Sequence, residues 1–574
     1  MRTHSRFLAL LLLCPAVAAA QTLTDPRLRS SDWVTGLANN PTTFTWIGPG
    51  EMFVIQKHNG KVRWVKDGVI VGEVLDLAVN LDNERGGLGI TADPDFAGNG
   101  YVYIYYSKSS TASDTSATAS WTDNRVERYT WNGTTLGSAF GPLVAFPADP
   151  TQANGANHDA GVIRFGPDGK LYGQVGDLNR GRIGSGAERV EQNTATSGSS
   201  SVGGIFRINP DGTIPSDNPF TGESDSAFHL WWSYGIRNGF GMTFDPVDGS
   251  LWDTEVCSYI YDEICRVPKG MNSGWLRITG PDARDAAYFE NGFTPYDASD
   301  LTYLQNAIYV EPVLSFKDKM APTAIVFLSS KLFPYDLKNQ CVFADFRNHN
   351  LYLTPMNAAR TEFVLPPGLD DKVADNASER DQLLWGSGFG VVTDAQFGAD
   401  GYLYVLDYNA MRIIQIRPVT DEVDPSVWQL DPGLVMSGDP ENAEASDDVD
   451  VTVTDLSSKI VSRPMQVGAK FTLNDTTTTS VVLQVETHYP RSGILQSIAA
   501  WNVNTQMFDL LDFDMIGTTD VLKSLTLATP SDYIDRTSRK LQIRITVAVR
   551  SPNARLPSPS SMSIDLLRLD VTYP

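Results

Sequence analysis

The sequence contains little cysteine and little histidine. Of its 574 residues, only four are cysteine and six are histidine. It has neither a CxxC pair nor a His-rich tract, so a zinc site is not expected. Beyond residue 20, Cys257, Cys265 and Cys341 remain, and this odd, small number excludes a disulfide framework. Cys257 and Cys265 are close enough in sequence to bridge a loop, which would leave Cys341 free.

Positive charge is also scarce. The chain has 45 Lys and Arg residues against 68 Asp and Glu residues, a formal net charge of −23. Nucleic acids and anionic membranes bind to basic surfaces, so neither is expected as a partner. The excess of carboxylates is compatible with an exported protein and with binding of divalent cations.

Long apolar runs are absent beyond the first 20 residues, so no bilayer-spanning segment is predicted. Residues 1–20 have a short basic start, an apolar stretch at 7–17 and small residues before Gln21. This is the pattern of a secretory signal peptide cleaved after Ala20, which predicts a secreted or periplasmic protein. Cys14 suggests a lipid anchor as an alternative, but Leu13 stands where a small residue would be expected.

One pattern recurs six times between residues 46 and 416: an apolar run, a turn with Gly, Asp or Asn, and a short apolar-aromatic strand. The copies begin at Trp46, Ile90, Ile163, Met242, Phe333 and Ala395. Their irregular spacing favours the blades of a six-bladed β-propeller over a β-sandwich, whose strands would be shorter and more even. Long insertions would carry the functional site at one mouth of the channel. The insertion at 184–201 is predicted to be a surface loop near that mouth.

The composition changes after Pro418. We predict a propeller over 21–420, an acidic linker over 421–450 and a second all-β domain over 451–574. Six alternating strands in the last segment favour a small β-sandwich. Such an accessory domain would either bind polysaccharide or a cell surface, or stabilise the protein passively.

The segment Asn157–Asp177, NHDAGVIRFGPDGKLYGQVGD, predicts a β-hairpin with a histidine before one strand and an aspartate after the other. Gly166-Pro167-Asp168-Gly169 is a turn sequence, because Pro fixes one turn dihedral and Gly permits positive φ. The hairpin would bring Asp177 close to His158, where a carboxylate can fix the imidazole tautomer and raise its basicity. Alternatively, His158 caps a turn and Asp177 only ends a strand.

Five segments in this order resemble the soluble quinoprotein sugar dehydrogenases, the glucose/sorbosone dehydrogenase-like family. They are ERGGLGITADPDFAGNGYVYIYYS, the histidine hairpin, VGGIFRINPDGTIPSDNPF, YGIRNGFGMTFDPVDGSLWDTE and DEICRVPKGMNSGW. Each motif alone is weak, but their order over residues 43–418 is specific. The resemblance implies a six-bladed propeller holding pyrroloquinoline quinone above a calcium ion.

By this resemblance, His158 is the general base that takes the proton of a sugar C1 hydroxyl while hydride passes to the quinone. Asp177 orients the histidine, and Arg237 stabilises negative charge on the quinone oxygen. The cofactor would supply the redox chemistry, and the protein would supply a base, charge and orientation.

The resemblance also implies binding positions. Glu84 and Asn238 match residues that contact the cofactor, and Arg347 stands near a lysine that does so. The backbone carbonyls of Val256, Cys257 and Ser258 fall where the family holds calcium, which would act as a Lewis acid. His229 and His349 are expected at the surface or in packing rather than as ligands.

Two segments depart from the family pattern. Where the enzymes carry Arg-x-Arg-Asp, whose arginines grip the cofactor carboxylates, this chain has Val391 and Thr393 before Asp394. Losing two charge-assisted contacts would remove several kcal/mol of cofactor affinity, at roughly 1.5–3 kcal/mol each. The Glu-x-Gly-Pro calcium loop is replaced by Glu255-Val256-Cys257-Ser258, and a Cys257–Cys265 bridge would reshape it.

Three functions follow as hypotheses. The first is an exported quinoprotein-type oxidoreductase acting on an aldose or a related polyol. The second is a binding module of the hedgehog-interacting-protein type, which kept the propeller and lost the cofactor; Val391 and Thr393 motivate it. The third is a calcium-dependent hydrolase or lactonase in which His158 activates water, although no carboxylate cluster in the sequence specifically supports it.

Overall fold

A computed structural model describes residues 21–148, 157–180, 186–199, 201–258, 260–287, 296–423, 425–430, 434–437, 451–455, 465–473, 478–489, 494–519, 521–549 and 560–572. The predicted signal peptide lies outside this range. The described chain is almost entirely β-structure, arranged in eight sheets. Six sheets precede residue 420 and two follow it.

The first two blades are four-stranded antiparallel sheets. Two strands, β1 (Thr22–Leu23) and β2 (Leu28–Val34), precede them. Blade one contains β3 (Pro41–Gly48), β4 (Glu51–Gln56), β5 (Lys61–Lys66) and β6 (Val69–Asp76). Blade two contains β7 (Gly87–Ala92), β8 (Tyr101–Ser109), β9 (Trp121–Trp131) and β10 (Leu136–Pro147).

Blades three and four are extended at their outer edges by short additional strands. Blade three contains β11 (Ile163–Phe165), β12 (Leu171–Val175), β13 (Gly204–Ile208) and β14 (Trp231–Tyr234). Blade four contains β15 (Gly239–Phe244), β16 (Leu251–Glu255) and β17 (Asp262–Arg266). Strands β18 (Met271–Asn272) and β19 (Ile308–Tyr309) extend blade three, and β20 (Leu314–Phe316) extends blade four.

Blades five and six complete the ring. Blade five contains β21 (Pro322–Phe327), β22 (Cys341–Asp345), β23 (Asn350–Thr354) and β25 (Leu384–Ser387), whereas β24 (Val373–Ala374) joins blade four. Blade six contains β26 (Val392–Phe397), β27 (Leu403–Asp407) and β28 (Arg412–Pro418). Strand β1 pairs with β25 and β2 pairs with β28, so the N-terminal strands supply the outer strands of these two blades.

The blades are held together by six hydrophobic clusters, each shared between two neighbours. Phe53 of blade one packs in the same cluster as Ile90 of blade two, and Phe44 of blade one packs with Tyr404 of blade six. The other four clusters join blades two to three, three to four, four to five and five to six. The clusters therefore form a closed ring, and each of the six sequence copies lies in a different blade. The predicted six-bladed propeller is confirmed.

Two sheets follow the propeller. The first contains β29 (Thr420–Val423), β31 (Leu434–Ser437), β32 (Val451–Asp455), β34 (Ser480–His488), β37 (Val521–Thr526) and β39 (Ser560–Thr572). The second contains β30 (Pro425–Leu430), β33 (Met465–Thr472), β35 (Ile494–Asn502), β36 (Met507–Ile516) and β38 (Lys540–Val549). Buried residues of both sheets belong to one hydrophobic cluster, as in sheet-on-sheet packing.

The predicted linker at 421–450 is wrong for residues 421–423, 425–430 and 434–437, which form strands of these two sheets. Strand β29 pairs with β39, and β30 pairs with β33. Trp428 and Leu430 pack against the shared core, so burial of these apolar side chains favours strands over a solvated linker despite the acidic residues around them. Residues 438–450, which include most of the acidic run, lie outside the described range.

Helical structure is limited to short segments. The α-helices in the described chain are α1 (Phe96–Asn99) and α2 (Ala377–Arg380). The 3₁₀ helices there are Thr118–Ser120, Val190–Gln192, Ser226–Phe228, Asp282–Ala287, Ala298–Asp300, Tyr335–Leu337, Asp381–Leu383 and Pro530–Asp532. None of the helices in the described chain has the length and apolar character that crossing a membrane would require.

Candidate active site

A cavity of about 530 Å³ lies where the six blades meet. The innermost strand of every blade contributes to its lining, through Thr43, Leu88, Arg164, Phe240, Thr323 and Thr393. His158, Arg237, Asn238 and Glu84 also line it. The cavity is therefore central to the propeller, and most of the sequence-predicted site residues face it.

The predicted hairpin brings His158 and Asp177 together. Strands β11 and β12 pair in the register Ile163 with Gly173 and Phe165 with Leu171. The turn is closed by the Gly169 N–H, which donates to the Gly166 carbonyl at 2.9 Å. Gly161 and Gln174 continue the backbone pairing beyond the strands. The two ends of the hairpin therefore lie side by side in the cavity wall.

Nδ1 of His158 is hydrogen-bonded to Oδ1 of Asp177, and both side chains are buried. The other carboxylate oxygen of Asp177 accepts from Nε1 of Trp275 at 2.9 Å. Burial would raise the pKa of Asp177, but His158 and Arg237 hold it below its usual value. The ionised carboxylate favours the tautomer with the proton on Nδ1. The lone pair on Nε2 can then accept a proton, so His158 can act as a base. Within the described residues, Nε2 has no hydrogen-bond partner.

The backbone at the histidine has an unusual conformation. His158 has φ of 64° and Ala160 has φ of 49°, in the left-handed region that non-glycine residues seldom adopt. Gly176 makes the close packing possible, because a Cβ there would collide with the carbonyl oxygens of His158 and Arg237. Strained backbone of this kind is common where a side chain is aimed at a ligand.

Glu84 fixes the backbone around the histidine. Its Oε2 accepts hydrogen bonds from the His158 N–H at 2.7 Å, the Asp159 N–H at 3.2 Å and Nδ2 of Asn238 at 3.1 Å. Glu84 therefore ties blades three and four to the loop before blade two. It does more than cap a turn, and it lines the cavity beside His158.

Arg237 and Asn238 enter the cavity from the start of blade four. The Arg237 guanidinium donates through Nη1 to the Val256 carbonyl at 2.9 Å, and its Cζ lies 5.5 Å from the centre of the Trp275 ring. Oδ1 of Asn238 is buried without a hydrogen-bond partner in the described structure. A buried polar atom of this kind at a cavity wall is available to a bound ligand.

Val391 and Thr393 occupy the positions at which the family resemblance implies arginines. Val391 is buried, and Oγ1 of Thr393 is buried without a partner in the described structure. Asp394 remains, and its Oδ1 accepts from Nη2 of Arg164 at 2.5 Å. Arg164 lines the cavity. An arginine from blade three therefore occupies the region from which the two arginines are missing.

Lys57 and Arg347 bring the number of basic side chains in the cavity lining to four, with Arg164 and Arg237. The lining carboxylates are Glu84 and Asp394. This excess of positive charge, in a protein of net charge −23, fits an anionic ligand. Arg347 is exposed, and its guanidinium has no hydrogen-bond or ion-pair partner among the described residues.

Two titratable groups at the cavity, Asp159 behind its wall and Lys57 in its lining, have shifted pKa values. Burial and the Glu84 carboxylate together raise the pKa of Asp159 to about 6, against the opposing effect of Arg85. Burial also lowers the pKa of Lys57 to about 8, against the attraction of Asp159 and Glu84. Lys57 is therefore a cation at neutral pH, and it adds to the positive charge of the cavity.

The loop at Val256–Ser258 contacts cations of the protein itself. The Val256 carbonyl accepts from Arg237, and the Ser258 carbonyl accepts from Nζ of Lys319 at 2.8 Å. Cys257, Cys265 and Cys341 are free and buried, so the Cys257–Cys265 bridge considered from the sequence does not form. Arg237 and Lys319 thus place positive charge on two of the three carbonyls expected to bind calcium, so the residues present fit a second cation there poorly.

The insertion after the hairpin supports the site from behind. Val190–Asn193 is buried, which corrects the expectation of a surface loop over 184–201 for these four residues. Nδ2 of Asn193 donates to the Trp275 carbonyl at 2.8 Å, and the Leu276 N–H donates to the Gln192 carbonyl at 2.8 Å. This packing positions Trp275, which in turn holds Asp177.

Sequence reasoning missed Arg164, Lys57, Trp275 and Lys319. Arg164 had a detectable signal, because it interrupts the apolar strand sequence Gly-Val-Ile-Arg-Phe with a charge. Trp275 lies in the family motif ending MNSGW, but nothing in the spacing indicates its contact with Asp177. Lys57 and Lys319 come from loops whose approach to the cavity depends on the closed ring.

Comparison with known proteins agrees with this architecture. The family profile described as Glucose / Sorbosone dehydrogenase matches residues 38–415. The quinoprotein glucose dehydrogenase B of Acinetobacter calcoaceticus is 29% identical over 42% of this chain and 51% of its own length. The aldose sugar dehydrogenase YliI of Escherichia coli is 26% identical over 46% of this chain and 60% of its own length. The chain thus spans about half to three fifths of these curated relatives.

A solved structure of the PQQ-bound form of aldose sugar dehydrogenase from Streptomyces coelicolor aligns over 69% of this chain and 98% of that chain. Its sequence identity is 22% and its TM-score is 0.46. The family profile covers well over half of the chain, and it coincides with the propeller and all six contributions to its cavity. The chain belongs to the glucose/sorbosone dehydrogenase family.

Proposed function

We propose that this protein is a quinone-dependent sugar dehydrogenase that oxidises the C1 hydroxyl of an aldose or a related polyol. The observation that carries the proposal is the buried His158–Asp177–Trp275 chain of hydrogen bonds, in which Nε2 of the histidine has no partner among the described residues. The excess of basic side chains in the same cavity supports an anionic cofactor beside that base. The family membership supports the reaction type.

Pyrroloquinoline quinone, when bound, would accept the hydride equivalent from the sugar carbon. Arg237, Asn238, Arg164 and Lys57 would hold it, since their side chains line the cavity and the first two lie beside His158. Arg347 is also predicted to contact the cofactor. Because Arg347 is exposed, this contact would lie at the rim of the cavity. Oδ1 of Asn238 and Oγ1 of Thr393 are further polar atoms that such a ligand would satisfy.

The chain's own residues would carry out the proton transfer. Nε2 of His158 accepts the proton of the C1 hydroxyl, which becomes a carbonyl as hydride leaves the carbon. The Asp177 carboxylate, held by Trp275, fixes the ring and stabilises the imidazolium that forms. Glu84 keeps the His158 backbone in its left-handed conformation through two N–H hydrogen bonds. No step is assigned to calcium, because protein cations contact two of its expected carbonyls.

The test is to titrate metal-stripped protein with pyrroloquinoline quinone and follow the quinone absorbance, then to add aldoses. We expect saturable binding, followed by bleaching with an aldose but not with its methyl glycoside, which has no free C1 hydroxyl. Binding without sugar-dependent bleaching would contradict the dehydrogenase. Absence of quinone binding would contradict the cofactor assignment and favour the non-catalytic binding module.

Two accessory functions remain predictions. Export through a signal peptide cleaved after Ala20 predicts that the mature protein, isolated from outside the cytoplasm, begins at Gln21. N-terminal sequencing checks this.

Binding of polysaccharide or a cell surface by the C-terminal sheets predicts that the full chain sediments with an insoluble polysaccharide. Equal sedimentation of a chain ending at Pro418 would contradict that role.

A further inference from the structure

Lys319 forms a contact that the family resemblance does not explain. It lies in the loop between β20 and β21, is half-buried, and donates through Nζ to the Ser258 carbonyl at 2.8 Å. The Val256 carbonyl, two residues before Ser258 in the same loop, accepts from the Arg237 guanidinium at 2.9 Å. Two basic side chains thus donate hydrogen bonds to the loop that replaces Glu-x-Gly-Pro.

Asp262 holds the two loops together. This buried carboxylate accepts from the Cys257 N–H at 3.1 Å through Oδ1. Through Oδ2 it accepts from the Met320 N–H at 2.9 Å and the Ala321 N–H at 2.7 Å. The backbone on either side of the Lys319–Ser258 contact is therefore fixed, and only the Lys319 side chain has to be ordered to form it.

The contact lies next to the cavity. Val256 and Ala321, which flank Ser258 and Lys319 along the two loops, both line it. A divalent ion on the Ser258 carbonyl would meet the Lys319 ammonium at the same oxygen and would be repelled by it. A lysine ammonium at this place instead supplies positive charge and further N–H donors to an anion.

We propose that Lys319 replaces calcium in this protein: its ammonium, fixed on the Ser258 carbonyl, supplies the positive charge that relatives place there with the metal. The proposal rests on the proposed function, since the anion it serves is the quinone cofactor. The site then binds quinone without a divalent ion. Arg164 and Lys319 together would restore charge in two regions where the family pattern has been lost.

Quinone titrations on metal-stripped protein test this directly. We expect the dissociation constant of the wild type to be the same in EGTA and in millimolar calcium. Lys319→Met, which keeps the length of the side chain and removes the charge, is expected to weaken quinone binding about tenfold, equivalent to about 1.4 kcal/mol. Lys319→Arg is expected to retain most of the affinity.

Lys317→Met is the matched control. Lys317 is exposed and pairs with Asp375 at 3.3 Å, away from the Ser258 loop, so its loss should leave quinone binding unchanged. Quinone binding by the wild type that disappears in EGTA and returns with calcium would overturn the proposal. So would equal affinities of Lys319→Met and Lys317→Met. Thermal melts of all variants establish that they are folded.

A crystal soaked in millimolar terbium, a calcium substitute, gives a second result that needs no quinone. An anomalous peak on the Ser258 carbonyl would overturn the proposal, even if the protein binds no quinone at all. Density for the Lys319 ammonium on that carbonyl, with no peak, supports it. This outcome is independent of the wild-type quinone titration, so failure of the dehydrogenase and failure of the lysine assignment can be distinguished.

Discussion

The cavity has two walls that differ in how their polar groups are used. On the wall formed by blades two to four, called here the histidine wall, His158 binds Asp177, and Glu84 binds both the His158 backbone and Asn238. On the wall formed by blades five, six and one, called here the opposite wall, Thr393 has a buried hydroxyl without a partner in the described structure. Each wall thus has a buried polar atom that a ligand could satisfy, Oδ1 of Asn238 and Oγ1 of Thr393, but the histidine wall is also preorganised by the hydrogen bonds around His158.

Arg164 connects the two walls. It belongs to β11 of blade three and reaches Asp394 of blade six, with an Nη2–Oδ1 distance of 2.5 Å. In the proposed function, the groups that handle the proton lie together on the histidine wall, while the groups that bind charge come from several blades. This division is physically reasonable because charge acts over several ångströms, whereas proton transfer needs hydrogen-bond contact.

The largest effect is expected at the histidine wall. His158→Gln should lower sugar-dependent kcat by about 10²–10⁴-fold, the usual contribution of a positioned base, while quinone affinity changes little. Stopped-flow absorbance of the quinone measures both quantities. His349→Gln, at an exposed position outside the cavity lining, is the control and should retain full activity. Full turnover by His158→Gln would remove the functional distinction between the two walls.

The residue that connects the walls should have the next largest effect. Arg164→Met is expected to weaken quinone binding by about 10–100-fold, since charge-assisted hydrogen bonds contribute about 1.5–3 kcal/mol. Arg347→Met should cost less than about threefold, because an exposed guanidinium is screened by water. Isothermal titration of both variants measures the difference.

Arg164→Lys and a thermal melt separate binding from folding, because Arg164→Met leaves Asp394 without its ion pair. Arg266→Met is a surface control, since Arg266 contacts the partly exposed Asp248 at 3.3 Å. Equal losses of affinity for Arg164→Met and Arg347→Met would show that the opposite wall contributes no specific anion site.

The last effect concerns the stability of the fold behind the histidine wall rather than binding or turnover. Burial raises the pKa of Asp159 from 3.8 to about 6, so the folded protein binds this proton more tightly than the unfolded chain. Its contribution to stability is therefore complete below pH 3.8 and is lost as pH rises to about 6, by at most about 3 kcal/mol. Asp159→Asn should flatten that part of the pH profile of Tm. A profile as steep as that of the wild type would contradict the raised pKa.

The strands of the propeller were predictable because each blade repeats one local pattern, and the histidine hairpin because its turn sequence fixes the register of Ile163 with Gly173. Strand β29 was not predictable from the sequence, because it pairs with the distant strand β39 despite the acidic composition of its own segment. Contacts such as Trp275 with Asp177 and Lys319 with Ser258 depend on how several loops meet around a closed ring. The local sequence of each loop does not encode these contacts between loops.

Closure of the ring by β1 and β2 has a consequence for the lifetime of the folded protein. Leu28 pairs with Pro418, so the last blade is completed only after almost the whole propeller has been synthesised. Contacts this distant in sequence form slowly, but a closed ring leaves few sheet edges from which unfolding can begin. Resistance to proteolysis should then follow the rate at which β2 detaches from β28. The N-terminal strand should therefore govern the half-life of the fold rather than its equilibrium stability.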